Sequence, residues 1–202
     1  MKIDIIDYNV NNCKAVAKLF TTLGHTIRYV DSTQNADSKA DLIVLPGVGH
    51  WKAGLDSLIK TGIFSMLQEK HISGNRILGI CLGFQLLGTG SDEHGGEGLN
   101  LLGSGVSEIT SLWDSKKAIN SGWRNCESTT EKQIQKYYFT HRYAYSLENM
   151  HNESGVNELL WVKDSNIVAA FQKENLCGIQ FHPEKSHQQG LNLIQKILSN
   201  WG

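Results

Sequence analysis

One stretch in the middle of the chain decides the fold: Arg76-Ile77-Leu78-Gly79-Ile80-Cys81-Leu82-Gly83-Phe84-Gln85-Leu86-Leu87. Its first five residues form a short apolar run that predicts a buried strand, and the spacing of its last four predicts a helix. Between them, Gly79-Ile80-Cys81-Leu82-Gly83 has the form of a nucleophile elbow, G-x-S-x-G, with cysteine in the serine position. A strand, a tight turn and a helix in immediate succession are typical of βαβ units and a parallel sheet.

The same alternation extends toward the amino terminus and predicts strands at 3–6, 26–30 and 41–45, with helices at 13–23 and, broken at Gly62, 55–67. Gly, Ser and acidic residues over 91–105 predict an exposed loop. The second half predicts strands at 106–109, 134–139, 159–162, 167–171 and 176–181, and a closing helix at 187–201. We therefore predict an α/β fold with a doubly wound, mostly parallel sheet flanked by helices and an antiparallel or mixed β portion in the second half. Residues 1–202 contain no linker or repeat and are predicted to form a single domain.

Composition argues against several classes of protein. The chain has 202 residues, with 19 Lys and Arg against 20 Asp and Glu and a net charge of −1. Nucleic-acid binding depends largely on cationic contacts with phosphates, so this balance argues against it. No apolar stretch approaches the ~20 residues of a transmembrane helix, and the acids near the start do not fit a signal peptide. Four widely spaced cysteines fit neither a zinc site nor a secreted disulfide framework, so we expect a reducing cytoplasm and no metal or cofactor.

Cys81 is the candidate nucleophile. A tight turn would raise its sulfur above the sheet, and the flanking glycines avoid Cβ clashes there. The helix that follows would point its amino terminus at the sulfur, which favours the thiolate over the thiol. The alternative is a buried cysteine in a tight strand–helix connection, and that reading is strongly favoured for Cys13, Cys126 and Cys177, which lack the glycines.

A thiolate needs a base, and His182 is the best candidate because it ends an apolar strand. Pro183 favours extended backbone at His182, and in extended backbone Glu184 lies on the same side as His182. A carboxylate there would orient the imidazole, as in a Cys-His-acid triad. His141, near Tyr143 and Tyr145, is a second candidate base, and the alternative for it is a structural or partner-facing histidine.

The turn Pro46-Gly47-Val48-Gly49 follows a predicted strand and could present backbone N–H groups to an oxyanion. By the elbow pattern, the second donor would be the N–H of Leu82, next after the nucleophile. The rival interpretation is a phosphate cradle, but no Lys-Ser or Lys-Thr follows, so a P-loop is excluded.

These blocks, taken with Gly83-Phe84-Gln85 and the ending Phe181-His182-Pro183-Glu184-Lys185-Ser186, resemble the class I (triad) glutamine amidotransferases in order and spacing across the whole chain. Within that class they are most similar to the glutaminase subunits of imidazole glycerol phosphate synthases. The stretches Asp7-Tyr8 with Asn12, Gly122-Trp123 and Tyr138-Phe139-Thr140-His141 also resemble those subunits.

The resemblance implies hydrolysis of L-glutamine to glutamate and ammonia, with Cys81 attacking the side-chain amide, His182 moving protons and Glu184 holding His182. It implies glutamine contacts for Gln85 and Glu93, and an oxyanion loop flanked by Gly47 and Gly49. It also implies that the ammonia passes to a separate synthase chain, a (β/α)₈-barrel cyclase in histidine biosynthesis, as a heterodimer.

Some residues depart from the family pattern. Asn9 and Asn11 stand where glycines are usual, Arg142 stands where Ser or Thr is usual beside the glutamine, and 120–124 replace a His-Met-Gly-Trp-Asn-like stretch. Paralogues of the subunit supply ammonia to a sugar amidotransferase in surface-polysaccharide synthesis, so that acceptor is an alternative. Two further alternatives are a non-catalytic glutamine-sensing or scaffolding subunit and a cysteine hydrolase acting on another substrate.

Overall fold

The structure is a computed structural model, and it describes residues 1–9, 12–36, 39–113, 118–130 and 133–201. The strands are β1 (Lys2–Ile6), β2 (Thr26–Val30), β3 (Leu42–Leu45), β4 (Ile77–Ile80), β5 (Ser107–Glu108), β6 (Asn120–Ser128), β7 (Gln135–His141), β8 (Tyr143–Ala144), β9 (Val156–Val162), β10 (Val168–Lys173) and β11 (Leu176–Ile179). The helices are α1 (Cys13–Thr22), α2 (Trp51–Lys60), α3 (Ile63–Ile72), α4 (Leu82–Gln85), α5 (Ile109–Leu112), α6 (Leu147–His151) and α7 (His187–Asn200). Short 3₁₀ turns lie at Thr33–Asn35 and Pro183–Lys185.

Within the described residues, nine strands form one sheet in the order β2-β1-β3-β4-β11-β10-β9-β6-β7. The first five strands in this order, from β2 through β4 to β11, pair in parallel. From β11 onward, each strand pairs antiparallel with the next one in the sheet. The predicted fold class is confirmed: a mostly parallel first part continues into an antiparallel second part of the same sheet.

Helices cover both faces of the sheet because the inner strands are apolar on both sides. In β3, Leu42 and Val44 pack into the core beneath α1 and α7, while Ile43 and Leu45 pack into the core beneath α2 and α3. A strand buried on both faces gives a continuous apolar run rather than an alternating one. Gly62, with φ of 73°, separates α2 from α3, which is the break that the sequence predicts.

The sequence-based prediction is wrong at several places in the second half. The strand predicted over 106–109 covers only β5, because Ile109 begins α5. The strands β6 and β8 and the helix α6 are not predicted at all. Strand β6 carries few apolar residues and is held by backbone pairing with β7 on one side and β9 on the other. The loop over 91–105 is not wholly exposed, since Leu99 and Leu102 are buried in the core.

Three neighbouring parallel strands end at the same edge of the sheet, and each continues into a segment that the sequence analysis singled out. Strand β3 leads into Pro46–Gly49, β4 leads into Cys81, and β11 leads through Gln180 and Phe181 to His182. Ligand sites of open α/β sheets lie at this carboxyl edge.

A methyl group added to Gly178 tests the packing between β11 and α4. A Cβ at this position would overlap the rings of Phe84 and Phe171, whose centroids are 5.3 Å apart. We expect Gly178→Ala to lower the free energy of unfolding by about 1–3 kcal/mol, as overpacking does in a dense core. Urea denaturation measures this change.

The matched control is Gly95→Ala, since a Cβ there meets no atom within 4 Å. It should cause no loss of stability. An equal loss in both variants would contradict the packing described for Gly178.

Candidate active site

The elbow around Cys81 has the strained backbone that its sequence predicts. Cys81 follows β4 directly and takes φ of 55° and ψ of −108°, a conformation that side chains rarely adopt. The flanking glycines are both required: a Cβ at Gly79 would lie 2.7 Å from the Phe84 Cα, and one at Gly83 would overlap the Leu45 carbonyl. Strain of this kind persists only where the surrounding structure enforces it, and it is common at active sites.

His182 is brought beside Cys81 by the parallel pairing of β11 with β4, in which Ile179 lies opposite Ile80. The His182 side chain is 3% exposed, and it interacts with the Cys81 thiol on one side and Glu184 on the other. Its Nδ1 atom lies 2.9 Å from Glu184 Oε1. Cysteine, imidazole and carboxylate thus form a continuous chain, as a nucleophile–base–acid triad requires.

Electrostatics within this chain favour a charged imidazole. Burial alone would lower the pKa of His182, but its hydrogen bonds and charge interactions with Cys81 and Glu184 outweigh burial and raise the pKa to about 10. Burial also opposes ionisation of Glu184, yet its hydrogen bond and ion pair with His182 bring the net pKa of the carboxyl below its ordinary value. The buried groups therefore hold one another in their charged forms.

Two residues that the sequence analysis did not assign also contact the triad. Asn12 Nδ2 donates to Glu184 Oε1 over 3.1 Å, and Gln180 Nε2 lies 3.8 Å from Cys81 Sγ. Gln180 could have been found, because it is a polar residue at the end of an apolar strand and stands two positions before His182. Asn12 is 172 positions from Glu184, and no local pattern links the two.

A cavity of about 370 Å³ opens over the sulfur. Nine predicted site residues line it, namely Val48, Gly49, Cys81, Leu82, Gln85, Glu93, His141, Arg142 and His182. Gly47 and Glu184 do not line the cavity: Gly47 is buried within the loop 46–49, and Glu184 contacts His182 through Nδ1. Three further lining residues, Thr140, Tyr143 and Lys185, were not predicted as site residues.

Two of the lining residues are held by the backbone around them. Gln85 Nε2 donates to the Tyr143 carbonyl over 2.7 Å and to Gln180 Oε1 over 3.2 Å. Glu93 Oε2 accepts the Trp51 N–H over 2.7 Å at the start of α2. Glu93 therefore presents a fixed negative charge on the wall of the cavity.

His141 is placed as a structural group rather than as a base. Asn120 Nδ2 lies 2.8 Å from His141 Nε2, and the Tyr143 carbonyl lies 2.9 Å from Nδ1, so both ring nitrogens have partners. Burial lowers the pKa of His141 to about 4, so the ring is neutral at pH 7 and its Nδ1–H donates to the carbonyl. His182 is therefore the better base.

Arg142 lies at the rim of the cavity. Its Nε and Nη2 atoms donate to Glu108 Oε1 over 2.9 and 2.8 Å, and the guanidinium carbon lies 5.9 Å from the centroid of the Tyr143 ring. An exposed ion pair of this kind contributes little to stability, typically about 0–1 kcal/mol. The guanidinium is therefore free to exchange Glu108 for another anion.

The candidate oxyanion donor, the Leu82 N–H, is already hydrogen-bonded within the protein. The Leu82 N–H donates to the Gly47 carbonyl over 3.2 Å, so the donor next to the nucleophile does not point freely into the cavity. Gly49 takes φ of 114°, which favours glycine at that turn.

One residue that departs from the family pattern, Asn9, takes the left-handed φ of 65° that a glycine would adopt readily. Residues 10 and 11 lie outside the described part of the chain.

The described ranges show neither a metal-binding cluster nor a membrane-spanning helix. They contain no group of three or more His, Cys, Asp or Glu side chains arranged to hold a metal ion. None of their helices has the length and apolar character needed to cross a membrane.

Known proteins resemble this chain over nearly its whole length. A sequence model of the glutamine amidotransferase class-I family matches residues 4–200. The imidazole glycerol phosphate synthase subunit HisH of Staphylococcus saprophyticus is 33% identical over 196 residues, which cover 97% of this chain and 93% of that protein. The HisH subunit of Staphylococcus aureus is 30% identical over 195 residues, covering 96% and 95%.

Solved structures share the fold at lower sequence identity. A glutamine amidotransferase crystal structure superposes with a TM-score of 0.78 at 14% identity, covering 99% of this chain and 98% of that one. PurLQS from Thermotoga maritima superposes with a TM-score of 0.75 at 18% identity, covering 100% and 99%.

Selective alkylation tests the special environment of Cys81. Cys81 lines the cavity, whereas Cys13, Cys126 and Cys177 are buried away from it, and burial with the charge of Asp7 raises the pKa of Cys13 to about 12. We expect iodoacetamide at pH 7 to modify Cys81 at least about tenfold faster than the others, because the cavity gives the reagent access to its sulfur and the other three thiols do not line that cavity. Peptide mapping by mass spectrometry measures the four rates; similar rates would contradict the assignment.

Glu184→Gln tests the charge coupling in the triad. Losing the carboxylate should lower the pKa of His182 from about 10 toward its ordinary value, as measured by NMR titration of the imidazole with His182→Ala to assign the signal. Because the pKa of His182 is higher in the folded state than the value of about 6.5 in the unfolded state, protonation of His182 stabilises the fold. This stabilisation is fully present below pH 6.5 and is lost as the pH rises toward 10. Unfolding measured from pH 6 to 10 should therefore be less pH-dependent in the variant. An unchanged His182 pKa would contradict the coupling.

Proposed function

The chain belongs to the glutamine amidotransferase class-I family, and from this premise we propose that it is the glutaminase subunit of an imidazole glycerol phosphate synthase. It hydrolyses the side-chain amide of L-glutamine to glutamate and ammonia. The observation that carries the proposal is the chain of contacts from the Cys81 thiol through His182 to Glu184, beside a cavity at the carboxyl edge of the sheet. The HisH relatives from two Staphylococcus species support the choice of subunit.

In the first half of the reaction, the Cys81 thiolate attacks the amide carbon of glutamine and a tetrahedral oxyanion forms. The His182 imidazolium gives its proton to the amide nitrogen, the C–N bond breaks, and ammonia leaves a glutamyl thioester on Cys81. A His182 pKa of about 10 suits this step, because the proton is in place before the nitrogen becomes basic.

In the second half, neutral His182 takes a proton from water as the water oxygen attacks the thioester carbon. The C–S bond breaks, glutamate leaves, and the Cys81 thiolate and the His182 imidazolium are restored together. Glu184 holds the same Nδ1 atom of His182 throughout, and Asn12 holds Glu184, so the imidazole keeps its orientation in both steps.

The cavity walls suit a free amino acid with both of its α-substituents charged. Glu93 offers a carboxylate to the α-ammonium group, and Arg142 and Lys185 offer cations to the α-carboxylate. The side-chain amide then extends toward Cys81. These opposite charges on the walls favour free glutamine over a glutamine residue within a peptide, which lacks the α-charges, and this argues against a peptidase.

We propose that the partner is a separate (β/α)₈-barrel cyclase and that it docks on an aromatic patch near the cavity. Trp123 is 36% exposed, stacks on His187 at 5.3 Å and meets the edge of Tyr138 at 6.0 Å. Lys185 connects the patch to the cavity, since its ammonium lies 5.8 Å from the Tyr138 ring centroid and its side chain lines the cavity. Exposed aromatic residues such as Trp and Tyr are enriched at the centres of protein interfaces.

Residues 1–202 act as a single glutamine amidotransferase domain, and the four cysteines, which are thiols, support a reducing cytoplasm. Arg142 lines the cavity and the stretch 120–124 pairs with β7 beside His141, so these departures from the family pattern lie near the glutamine site. The alternative acceptor of the ammonia is the sugar of a surface-polysaccharide amidotransferase.

Reconstitution tells these acceptors apart. The chain is mixed with a barrel cyclase, its phosphorylated ribulosyl substrate and glutamine, and glutamate release is measured with formation of the imidazole product. Product formation that depends on glutamine supports the histidine enzyme. Glutaminase activity that is stimulated only by a sugar amidotransferase and its sugar would replace it with the alternative.

Cys81→Ser separates the two activities of the reconstituted complex. We expect loss of glutamine-dependent synthesis by at least about a thousandfold, as after removal of a triad nucleophile, while synthesis from added ammonium salt is retained. Loss of both activities would mean that Cys81 is a structural residue. His182→Ala should likewise slow glutamine turnover, and it should also lower the melting temperature because the buried Glu184 carboxylate loses its charged partner. Glutamine turnover as fast as that of the parent would contradict the role of His182 as a base.

A further inference from the structure

The Tyr8 hydroxyl is a buried polar group that the mechanism above does not use. Tyr8 follows β1, its side chain is fully buried, and its hydroxyl has no hydrogen-bond partner among the residues that the structure describes. Buried hydroxyls in native proteins are nearly always hydrogen-bonded, because an unsatisfied one loses its bonds to water without replacement. An exception of this kind calls for an explanation.

The hydroxyl lies against the candidate oxyanion loop. A Cβ built on Gly47 would overlap the Tyr8 hydroxyl, and the same Cβ would lie 3.3 Å from the Gly83 backbone nitrogen. Burial raises the pKa of Tyr8, and the charges of Cys13 and Cys81 raise it further. The phenol therefore stays protonated at neutral pH and remains a hydrogen-bond donor close to the reacting sulfur.

The Tyr8 ring is held firmly in this position. The hydroxyl of Ser57, in α2, donates to the Tyr8 carbonyl over 2.7 Å, and a Cβ on Gly54 would lie only 3.4 Å from the Tyr8 ring. A donor fixed by one helix can serve as a stationary partner for a loop that moves beside it.

The loop must move before the Leu82 N–H is free to bind an oxyanion. The Leu82 N–H, which the elbow pattern assigns to the oxyanion, donates instead to the Gly47 carbonyl over 3.2 Å. Turning the Gly47–Val48 peptide would free the Leu82 N–H and point the Val48 N–H toward the cavity. The Gly47 carbonyl would then be a buried acceptor that has lost its donor, a change that is unfavourable unless another donor replaces Leu82.

We propose that Tyr8 is a positioning residue for the oxyanion hole and that its hydroxyl donates to the Gly47 carbonyl once the Gly47–Val48 peptide has turned. One hydrogen bond replaces another, the unsatisfied phenol gains its partner, and two backbone donors become available to the oxyanion on the glutamine carbon. This inference rests on the proposed glutaminase function and adds a residue to it.

Tyr8→Phe tests the inference because it removes only the hydroxyl. In the full chain with its barrel partner and the partner's ligand, we expect kcat for glutamine to fall at least about tenfold, as after loss of transition-state stabilisation, while KM changes less than about twofold. Alkylation of Cys81 by iodoacetamide needs no oxyanion hole, so its rate should match that of the parent. The melting temperature should not fall, since no hydrogen bond is lost from the resting state.

Tyr145→Phe is the matched control for stability. The Tyr145 hydroxyl is equally buried but already donates to the Gln85 carbonyl over 3.0 Å, so its removal should lower the melting temperature. An unchanged kcat in Tyr8→Phe would overturn the inference, and so would a fall in melting temperature together with slower alkylation, which would indicate a structural hydroxyl. If the parent complex releases no glutamate from glutamine, the proposed function itself fails, and that outcome is visible before any variant is compared.

Discussion

The parallel pairing of β11 with β4 is the constraint on which the site depends. It sets Ile179 opposite Ile80, so both strands end at the same edge of the sheet. Cys81 directly follows Ile80, and His182 lies three residues after Ile179. The two residues are about half the chain apart in sequence, and only this register brings sulfur and imidazole together. A shift by one residue would turn every side chain of β11 to the opposite face and separate them.

The charges of His182 and Glu184 at this edge of the sheet are stabilised by contact with each other and not by solvent. His182 and Glu184 are both buried, and each holds the other in its charged form through a bond of 2.9 Å. Asn12 adds a neutral donor to the same carboxylate oxygen. A buried pair of this kind contributes little to stability by itself, but loss of one partner leaves an uncompensated charge, so the arrangement favours an unchanging geometry. The backbone strain at Cys81 is supported by the same packed surroundings.

The sequence predicts the parallel half of the fold well because its strands are short apolar runs separated by helical periods. Strand β6 is not predicted from the sequence, because it is held by backbone pairing with its two neighbouring strands and has no apolar pattern. The elbow and His182 have local signals in flanking glycines and a following proline. Asn12 has no such signal, because its contact with Glu184 exists only after the sheet has formed. The engagement of Leu82 by Gly47 is a matter of loop conformation, which residue types alone do not specify.

The most direct measurement of the central claim is covalent trapping by an electrophilic glutamine analogue. The full chain is incubated with the analogue and its barrel partner, and the modified peptide is identified by mass spectrometry. We expect one adduct, on Cys81. Excess glutamine should prevent its formation, and it should form more slowly in His182→Ala than in the parent. An adduct on another cysteine, or on Cys81 at a rate that glutamine does not slow, would contradict a glutamine site between the sulfur and the imidazole.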